Sequence, residues 1–520
     1  MMLLRLETVL DTGAPSASVI CHPVHLVQLL CQGIPHACSL EHQPEVTRSN
    51  VNLQIAGRNV PEAAPPPPGK LMTHHRPQYS EDDIRLRPID LETRHISFSS
   101  CPLCSRDNDK AKASSIASPT ALRTYTPINK SLMAQRYISN NLPDQSLGSD
   151  PKELLKYALE LVVRHTPPRQ VYHDRHLGGL YTGYTGLAYL FLQLSELHPD
   201  LKVSGQDLIS WAQRYLDGDR GKLVMEKGNC GLSSEKMCFE AVRACVTKDD
   251  DHLIAFLSNI PILLGPYTSP QEDAFPSEIL YGRAGALYML RMVKHWVPRS
   301  RTLIESPIRR LTERIMATDD DGRGNWEWHG KRYFGAAHGD IGIITQLVLS
   351  NPSLAPQLSR HLERLLELQL SDGNWPSSLR SLKDGKNASL VQWCHGAPGF
   401  LYSLRSLRPY FPDLQERIDS AVDKGQNITW RHGLLTKEPC LCHGIFGNAL
   451  VLPHGPKRQH FLALATASAV ERVRRHDPSI FEPASYGHKA AVLMNYLPSA
   501  AWTWAVCEQE HPRLLMYNDV

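Results

Sequence analysis

The chain has 520 residues, enough to bury a large core and to hold two or more domains. Its 56 lysines and arginines against 53 aspartates and glutamates leave a formal charge of only +3, which gives no general electrostatic case for nucleic acid. No stretch of 18 or more apolar residues occurs, so no transmembrane helix is expected, and Met1 to Leu10 lacks a clear small-residue cleavage site for a secretory signal. Twelve cysteines are far too few for a secreted disulfide scaffold, and several (Cys238, Cys245, Cys507) sit in apolar helical runs as buried free thiols do. A reducing compartment, the cytoplasm, is the expected location.

Residues 1–132 read as a separate region. Pro65 to Pro68 form a proline run inside a linker-like stretch, and periodic apolar patterning is sparse. Such composition does not readily offset its own ordering entropy, so a largely disordered or low-order N-terminal extension is expected. Cys101 and Cys104 form a lone CxxC pair with no second pair at zinc-ribbon spacing, and Cys21, His22 and His25 are discounted as a metal site in the same way.

From Pro151 the texture changes. Leu154, Leu155, Ala158, Leu159, Val162 and Val163 fall at helical spacing, and Pro167-Pro168 stop the run. Gly183-Tyr184-Thr185-Gly186 then leads directly into an apolar helix-like segment. Five comparable junctions follow, with first glycines at Gly228, Gly282, Gly339, Gly396 and Gly444, separated by 45, 54, 57, 57 and 48 residues. A period of roughly 50 residues accommodates two helices and two loops per unit. The segments after the glycines, such as Ile341 to Leu349, are apolar nearly all round. Those between them are amphipathic, with Leu358, Leu362, Leu365 and Leu366 on one stripe. Alternation of buried and half-exposed helices predicts an all-α fold: an α/α toroid, a double ring of helical hairpins over residues 133–520, with the glycine loops gathered at one end. An open solenoid is the competing architecture. The seventh unit is irregular, because Phe481-Glu482 looks like the start of a junction whose glycines do not follow, and residues 483–499 read as an insertion.

Two junctions carry chemistry. Trp393-Cys394-His395-Gly396-Ala397-Pro398-Gly399 and Cys442-His443-Gly444-Ile445-Phe446-Gly447 each set a cysteine just before an apolar helix, where backbone N–H groups and the helix dipole favour a thiolate. Two thiolates and an imidazole make a borderline-soft set that suits zinc, and three protein ligands leave one tetrahedral position open, as catalytic sites do. Cys394, Cys442 and His443 are the expected ligands, with His395 as the natural competitor of His443. Cys440, two residues before Cys442, is not expected to bind.

These junctions, together with Tyr181-Thr182-Gly183, Glu278 to Arg283, Gly335 to Gly339 and Leu390 to Gly399, resemble the lanthionine synthetase C-like family in its eukaryotic branch, over about residues 135 to 520. The resemblance implies a seven-hairpin toroid with one zinc on Cys394, Cys442 and His443, leaving His395 beside the site. It implies addition of a cysteine or glutathione thiolate to dehydroalanine or dehydrobutyrine in peptides or damaged proteins. It also implies glutathione binding by Lys437, five residues before Cys442. His338 is the candidate proton carrier and Glu278 its acid–base partner. Two positions depart from the bacterial cyclases of that family: Leu390 stands where they carry arginine and Glu278 where they carry aspartate. The alternatives are a zinc- and glutathione-binding adaptor or redox sensor without turnover, and a glycosidase on an α/α toroid, which would need two flanking carboxylates that these loops do not offer.

Overall fold

The computed structural model describes residues 136–265, 275–318, 326–384, 390–482 and 492–520. The expectation for residues 1–132 lies outside the described residues.

The described chain is all-α, apart from a two-residue antiparallel hairpin, Lys202–Val203 with Gln206–Asp207. Its turn uses left-handed backbone at Ser204 and Gly205. Helices alternate between two concentric rings. The inner ring consists of α2 (Tyr184–Leu197), α4 (Glu235–Thr247), α6 (Arg283–Trp296), α8 (Asp340–Ser350), α10 (Ala397–Leu407), α12 (Ile445–Leu450) and α15 (Tyr496–Val506). The outer ring runs α1 (Pro151–His165), α3 (Leu208–Leu216), α5 (Asp250–Leu257), α7 (Arg301–Ala317), α9 (Ala355–Glu367), α11 (Gln415–His432), then α13 (Pro456–Leu464) with α14 (Ala467–His476). Helix α15 packs on both α1 and α2, so the double ring closes as a toroid and the open solenoid is excluded.

Burial follows the sequence pattern. Every residue from Tyr184 to Leu194 and from Asp340 to Val348 is buried, whereas α9 buries one stripe that includes Leu358, Leu362, Leu365 and Leu366. The stripe seals the outer helix onto the inner ring, at about 1.5–3 kcal/mol for each large apolar side chain removed from water.

The glycines act by steric exclusion. A Cβ at Gly186, Gly285, Gly342, Gly399 or Gly447 would lie 2.0–2.1 Å from the carbonyl oxygen of the residue six positions earlier, so the loop folds back onto its own helix only without a side chain. This close return lets each loop reach the next. Tyr181 N–H donates to Leu232 O (3.1 Å), Leu232 to Ile279 (3.1 Å), Ile279 to Ala337 (3.3 Å), Ala337 to Cys394 (3.5 Å), Cys394 to Cys442 (3.3 Å) and Cys442 to Leu493 (2.8 Å). One backbone belt thus threads seven loops at one end of the toroid.

The belt corrects two readings of the repeat. In the second unit Gly228–Gly231 does not open the inner helix. Leu232 is the belt residue and Ser234 caps α4, its side chain accepting from Met237 N–H. In the seventh unit the junction is Val492 to Asn495, with Asn495 at the N-cap of α15, so residues 492–499 belong to the repeat and are not an insertion. Residues 483–491 lie outside the described residues.

At the far end, the last residues of the chain return into the toroid. Leu514 to Tyr517 are buried, the Tyr517 hydroxyl lies 2.5 Å from Ser403 Oγ, and its ring meets Trp393 edge-on at 5.4 Å. The Asp519 carboxylate accepts from the Tyr189 and Tyr288 hydroxyls at 2.8 and 2.9 Å. The core is therefore two-layered, apolar between the rings and partly polar on the axis.

Candidate metal centre

Belt positions of neighbouring loops face one another, so residues far apart in sequence converge. Cys394 and Cys442 occupy the belt positions of the fifth and sixth loops, and His443 follows directly. All three are buried, and their two sulfurs and one ring nitrogen lie within 4.8 Å of one another. Bond lengths of about 2.3 Å to sulfur and 2.0 Å to nitrogen would set tetrahedral ligands about 3.5–3.8 Å apart, so a small inward adjustment closes the set on one ion. Among the described residues this is the only group of three or more histidine, cysteine or carboxylate side chains close enough to hold a metal.

Hydrogen bonds place the sulfurs. Gln392 Nε2 donates to Cys394 Sγ at 3.0 Å, and the Tyr181 hydroxyl lies 3.3 Å from Cys442 Sγ, reaching from the first loop to the sixth. Burial pushes the Cys394 thiol up, but its hydrogen bond with Cys442, the Lys437 charge and the Gln392 amide together hold it below the usual thiol value. Burial and the neighbouring Cys394 push Cys442 well above that value, so the pair by itself favours one negative charge. A divalent cation removes this conflict by supporting two thiolates, which is the physical fit of this donor set to zinc. Burial, then the Lys437 charge, keep His443 neutral, with a lone pair available to a metal.

The competitor histidine lies outside the cluster. His395 is buried with its ring 5.8 Å from Tyr333 and 6.1 Å from His338, and burial with the charges of His338 and Lys437 pushes it down to about 3. Cys440 also lies outside: its sulfur accepts the His443 N–H at 3.5 Å, and burial pushes its thiol up to about 12.

Glu278 in the third loop and His338 in the fourth are brought together, with Oε2 2.7 Å from Nδ1 and both side chains buried. The carboxylate is itself fixed by the N–H groups of Leu280 (2.9 Å) and Tyr281. Trp328 stacks on the His338 ring at 4.0 Å and 12°, and Tyr281 stacks on Trp328 at 5.7 Å. The imidazole is thus held at one nitrogen and clamped on one face. His338 lies close enough to act electrostatically on Cys394, and the Lys437 charge reaches Cys394, His395, Cys440 and His443, while the Lys437 side chain is exposed. All six residues singled out in the sequence therefore share one region. Leu390, at the bacterial arginine position, offers only its carbonyl, which accepts from Asn374 Nδ2 at 3.1 Å.

Three neighbours carried no assigned role in the sequence. Tyr181 and Gln392 lie inside recognisable motifs, one at a belt position and one two residues before a cysteine, so proximity to a loop glycine was their available signal. Trp328 lies between α7 and the fourth loop, outside the repeat, and had none.

The family model for lanthionine synthetase C-like proteins matches residues 177–454, more than half of the chain. Glutathione S-transferase LANCL1 of Danio rerio is 27% identical over 331 residues, covering 58% of this chain and 74% of that protein. LanC-like protein GCL1 of Arabidopsis thaliana is 26% identical over 287 residues, covering 52% of this chain and 64% of its own. Among solved structures, nisin cyclase aligns with a TM-score of 0.41 at 15% identity, covering 68% of this chain and 93% of that one. Because that family model spans more than half of its length, this chain belongs to the lanthionine synthetase C-like family.

Proposed function

We propose that the protein joins a thiol to a dehydroamino acid: glutathione, or a cysteine thiolate, adds to dehydroalanine or dehydrobutyrine in a peptide or damaged protein. Cys394, Cys442 and His443 would hold one zinc ion. When bound, zinc would lower the pKa of an incoming thiol toward neutrality. The carrying observation is that a buried sulfur–sulfur–nitrogen set and a buried Glu278–His338 pair occur on adjoining loops of one belt.

The chain's own groups perform the rest. Glu278 accepts the Nδ1–H of His338 and leaves the lone pair on Nε2, so the imidazole takes a proton from the thiol and returns it to carbon. In the addition the sulfur bonds to the β-carbon, the carbon–carbon π bond breaks, and the α-carbon receives the proton. Nothing is released. Trp328 and Tyr281 restrict the imidazole to one orientation, which lowers the entropic cost of each transfer. Lys437 places a mobile positive charge at an exposed position, suited to a carboxylate of glutathione. The name of the fish relative, a glutathione S-transferase, supports glutathione as the thiol.

The test is thioether formation between glutathione and a dehydroalanine peptide, followed by mass spectrometry. The wild type should accelerate it, Cys442→Ala should abolish the acceleration, and Lys437→Ala should chiefly raise the KM for glutathione. Glutathione binding with no acceleration across several dehydroamino-acid peptides would replace this reading with a non-catalytic adaptor.

A further inference from the structure

A second concave site lies at the opposite end of the toroid. It is a cavity of about 570 Å³ at the C-terminal ends of α6, α8 and α10, closed on one side by the returning tail of the chain. Its lining carries Arg291, Lys294, Arg301, Arg405 and Arg513, with His295 and His511, and no aspartate or glutamate side chain. The whole chain is nearly balanced, 56 cationic side chains against 53 acidic ones, so five cations and no acid among the lining side chains is a local segregation of charge, with Glu196, 3.3 Å from His295, the acid that pairs with the lining. Like charges gathered in a concavity repel one another and focus a positive potential into it.

Structural duties account for part of this set. Arg291 is occupied by Gln346 Oε1, the Tyr517 carbonyl and a main-chain oxygen of Val520. Arg405 donates to the Val451 carbonyl at 3.0 Å, and Lys294, His295 and Arg405 lie in last helical turns, where cations complement the helix dipole.

Arg301 is different. It is exposed and begins α7, a helix of 17 residues whose first turn has no acidic residue and whose N-cap, Ser300, makes no side-chain capping bond. A cation at a helix N-terminus opposes the dipole, so helix stability does not explain it. The Arg301 N–H already donates to the Pro298 carbonyl, so the group available to an anion here is the guanidinium fork, which lines the cavity. Ser350 Oγ, on the same cavity wall, is buried and has no hydrogen-bond partner among the described residues. Lys294 and Arg301 form no ion pair with a described residue.

We propose that this cavity binds a small soluble anion carrying two or more phosphate-type charges, with Arg301, Lys294 and Arg513 as its charge partners and Ser350 as a hydrogen-bond donor. Phosphate is favoured over carboxylate because four of the five cations are arginines, whose planar fork pairs two donors with two oxygens, and because the cavity offers more positive charge than one carboxylate would neutralise. The volume admits a phosphorylated metabolite of nucleotide size and excludes a folded partner. The site shares no residue with the metal centre, so it stands whether or not the proposed thiol addition does.

The experiment is calorimetric titration of the full-length protein with inorganic pyrophosphate. Saturable one-to-one binding is expected, weakened about tenfold or more in Lys294→Gln/Arg301→Gln. Arg513→Gln, also at an exposed position, provides a second, independent reading. Lys222→Gln/Lys227→Gln removes the same charge from exposed positions outside the cavity and should leave affinity unchanged. Absence of saturable binding, equal weakening by the control pair, or retention on anionic phospholipid vesicles without pyrophosphate binding would each overturn the proposal.

Discussion

Glu278 Oε2 lies 2.7 Å from His338 Nδ1, across two loops that are 60 residues apart in the chain and adjacent on the belt. Because both side chains are buried and the carboxylate already accepts two backbone N–H groups, the pair has one arrangement available. Glu278→Gln puts an amide N–H₂ or a weaker acceptor against Nδ1. In the proposed reaction kcat should fall by about 10²-fold, the low end for a misplaced acid–base group. Metal content should stay at the wild-type level. Unchanged kcat would remove the dyad from the mechanism.

The donor set predicts metal stoichiometry. Purified wild-type protein should carry about one zinc per chain by elemental analysis, and Cys394→Ala, Cys442→Ala and His443→Ala should each lose most of it. Cys440→Ala and His395→Gln should retain it, because neither side chain belongs to the cluster. Loss of zinc in His395→Gln with retention in His443→Ala would reverse the ligand assignment.

Buried His395 gives a pH prediction. Its folded value is pushed down to about 3, below the ordinary histidine value near 6.5. Between those values the unfolded chain binds a proton that the folded chain refuses, so its contribution to stability is complete above pH 6.5 and is lost as the pH falls toward 3. Across the whole window this amounts to on the order of 5 kcal/mol. His395→Gln should therefore flatten the fall in Tm between pH 6.5 and pH 4, measured by thermal melts beside the wild type. An equally steep fall in both proteins would show that other groups carry it.

The second glycine of each junction predicts a stability cost. At Gly342 an added Cβ would lie 2.0 Å from the Ala336 carbonyl oxygen, and the obstacle is backbone that cannot rotate away. Gly342→Ala should cost about 1–3 kcal/mol or more and lower Tm visibly. Gly148→Ala, where a Cβ meets nothing within 4 Å, is the control and should leave Tm within error.

A shortened chain tests the proposed boundary at residue 132. Starting at Met133 keeps the contacts that begin at Arg136: the Arg136 carbonyl accepts from Thr436 N–H at 3.1 Å, Tyr137 stacks on His432 at 4.2 Å, and Ile138 N–H donates to Leu434 O at 2.7 Å. The shortened protein should be soluble, helical and zinc-loaded by circular dichroism and metal analysis. Starting at Asp150 removes those contacts from the segment leading to Lys437 and should weaken glutathione use more than metal binding. Aggregation of the Met133 form would place residues 1–132 within the folded unit.

Local regularities were legible because they are short-range. The apolar stripe of α9 depends on neighbours three and four residues apart, and the paired glycines depend on a return of six residues, so both leave a mark in any window of the sequence. The convergence of Cys394, Cys442 and His443 was legible for the same reason, since each lies within two residues of a loop glycine. Where another residue performs the glycine's task, as Ser234 and Asn495 do at the N-caps of α4 and α15, the mark disappears and the repeat was misread. The belt itself uses only main-chain N–H and C=O groups, which every residue type supplies, so no sequence pattern could announce it. Only ring closure decided that Tyr181 meets Cys442 across 261 residues, that Trp328 covers His338, and that Tyr517 returns beneath Trp393. Those pairings depend on how seven hairpins pack around one axis, and packing is a property of the whole chain that no single stretch of it contains.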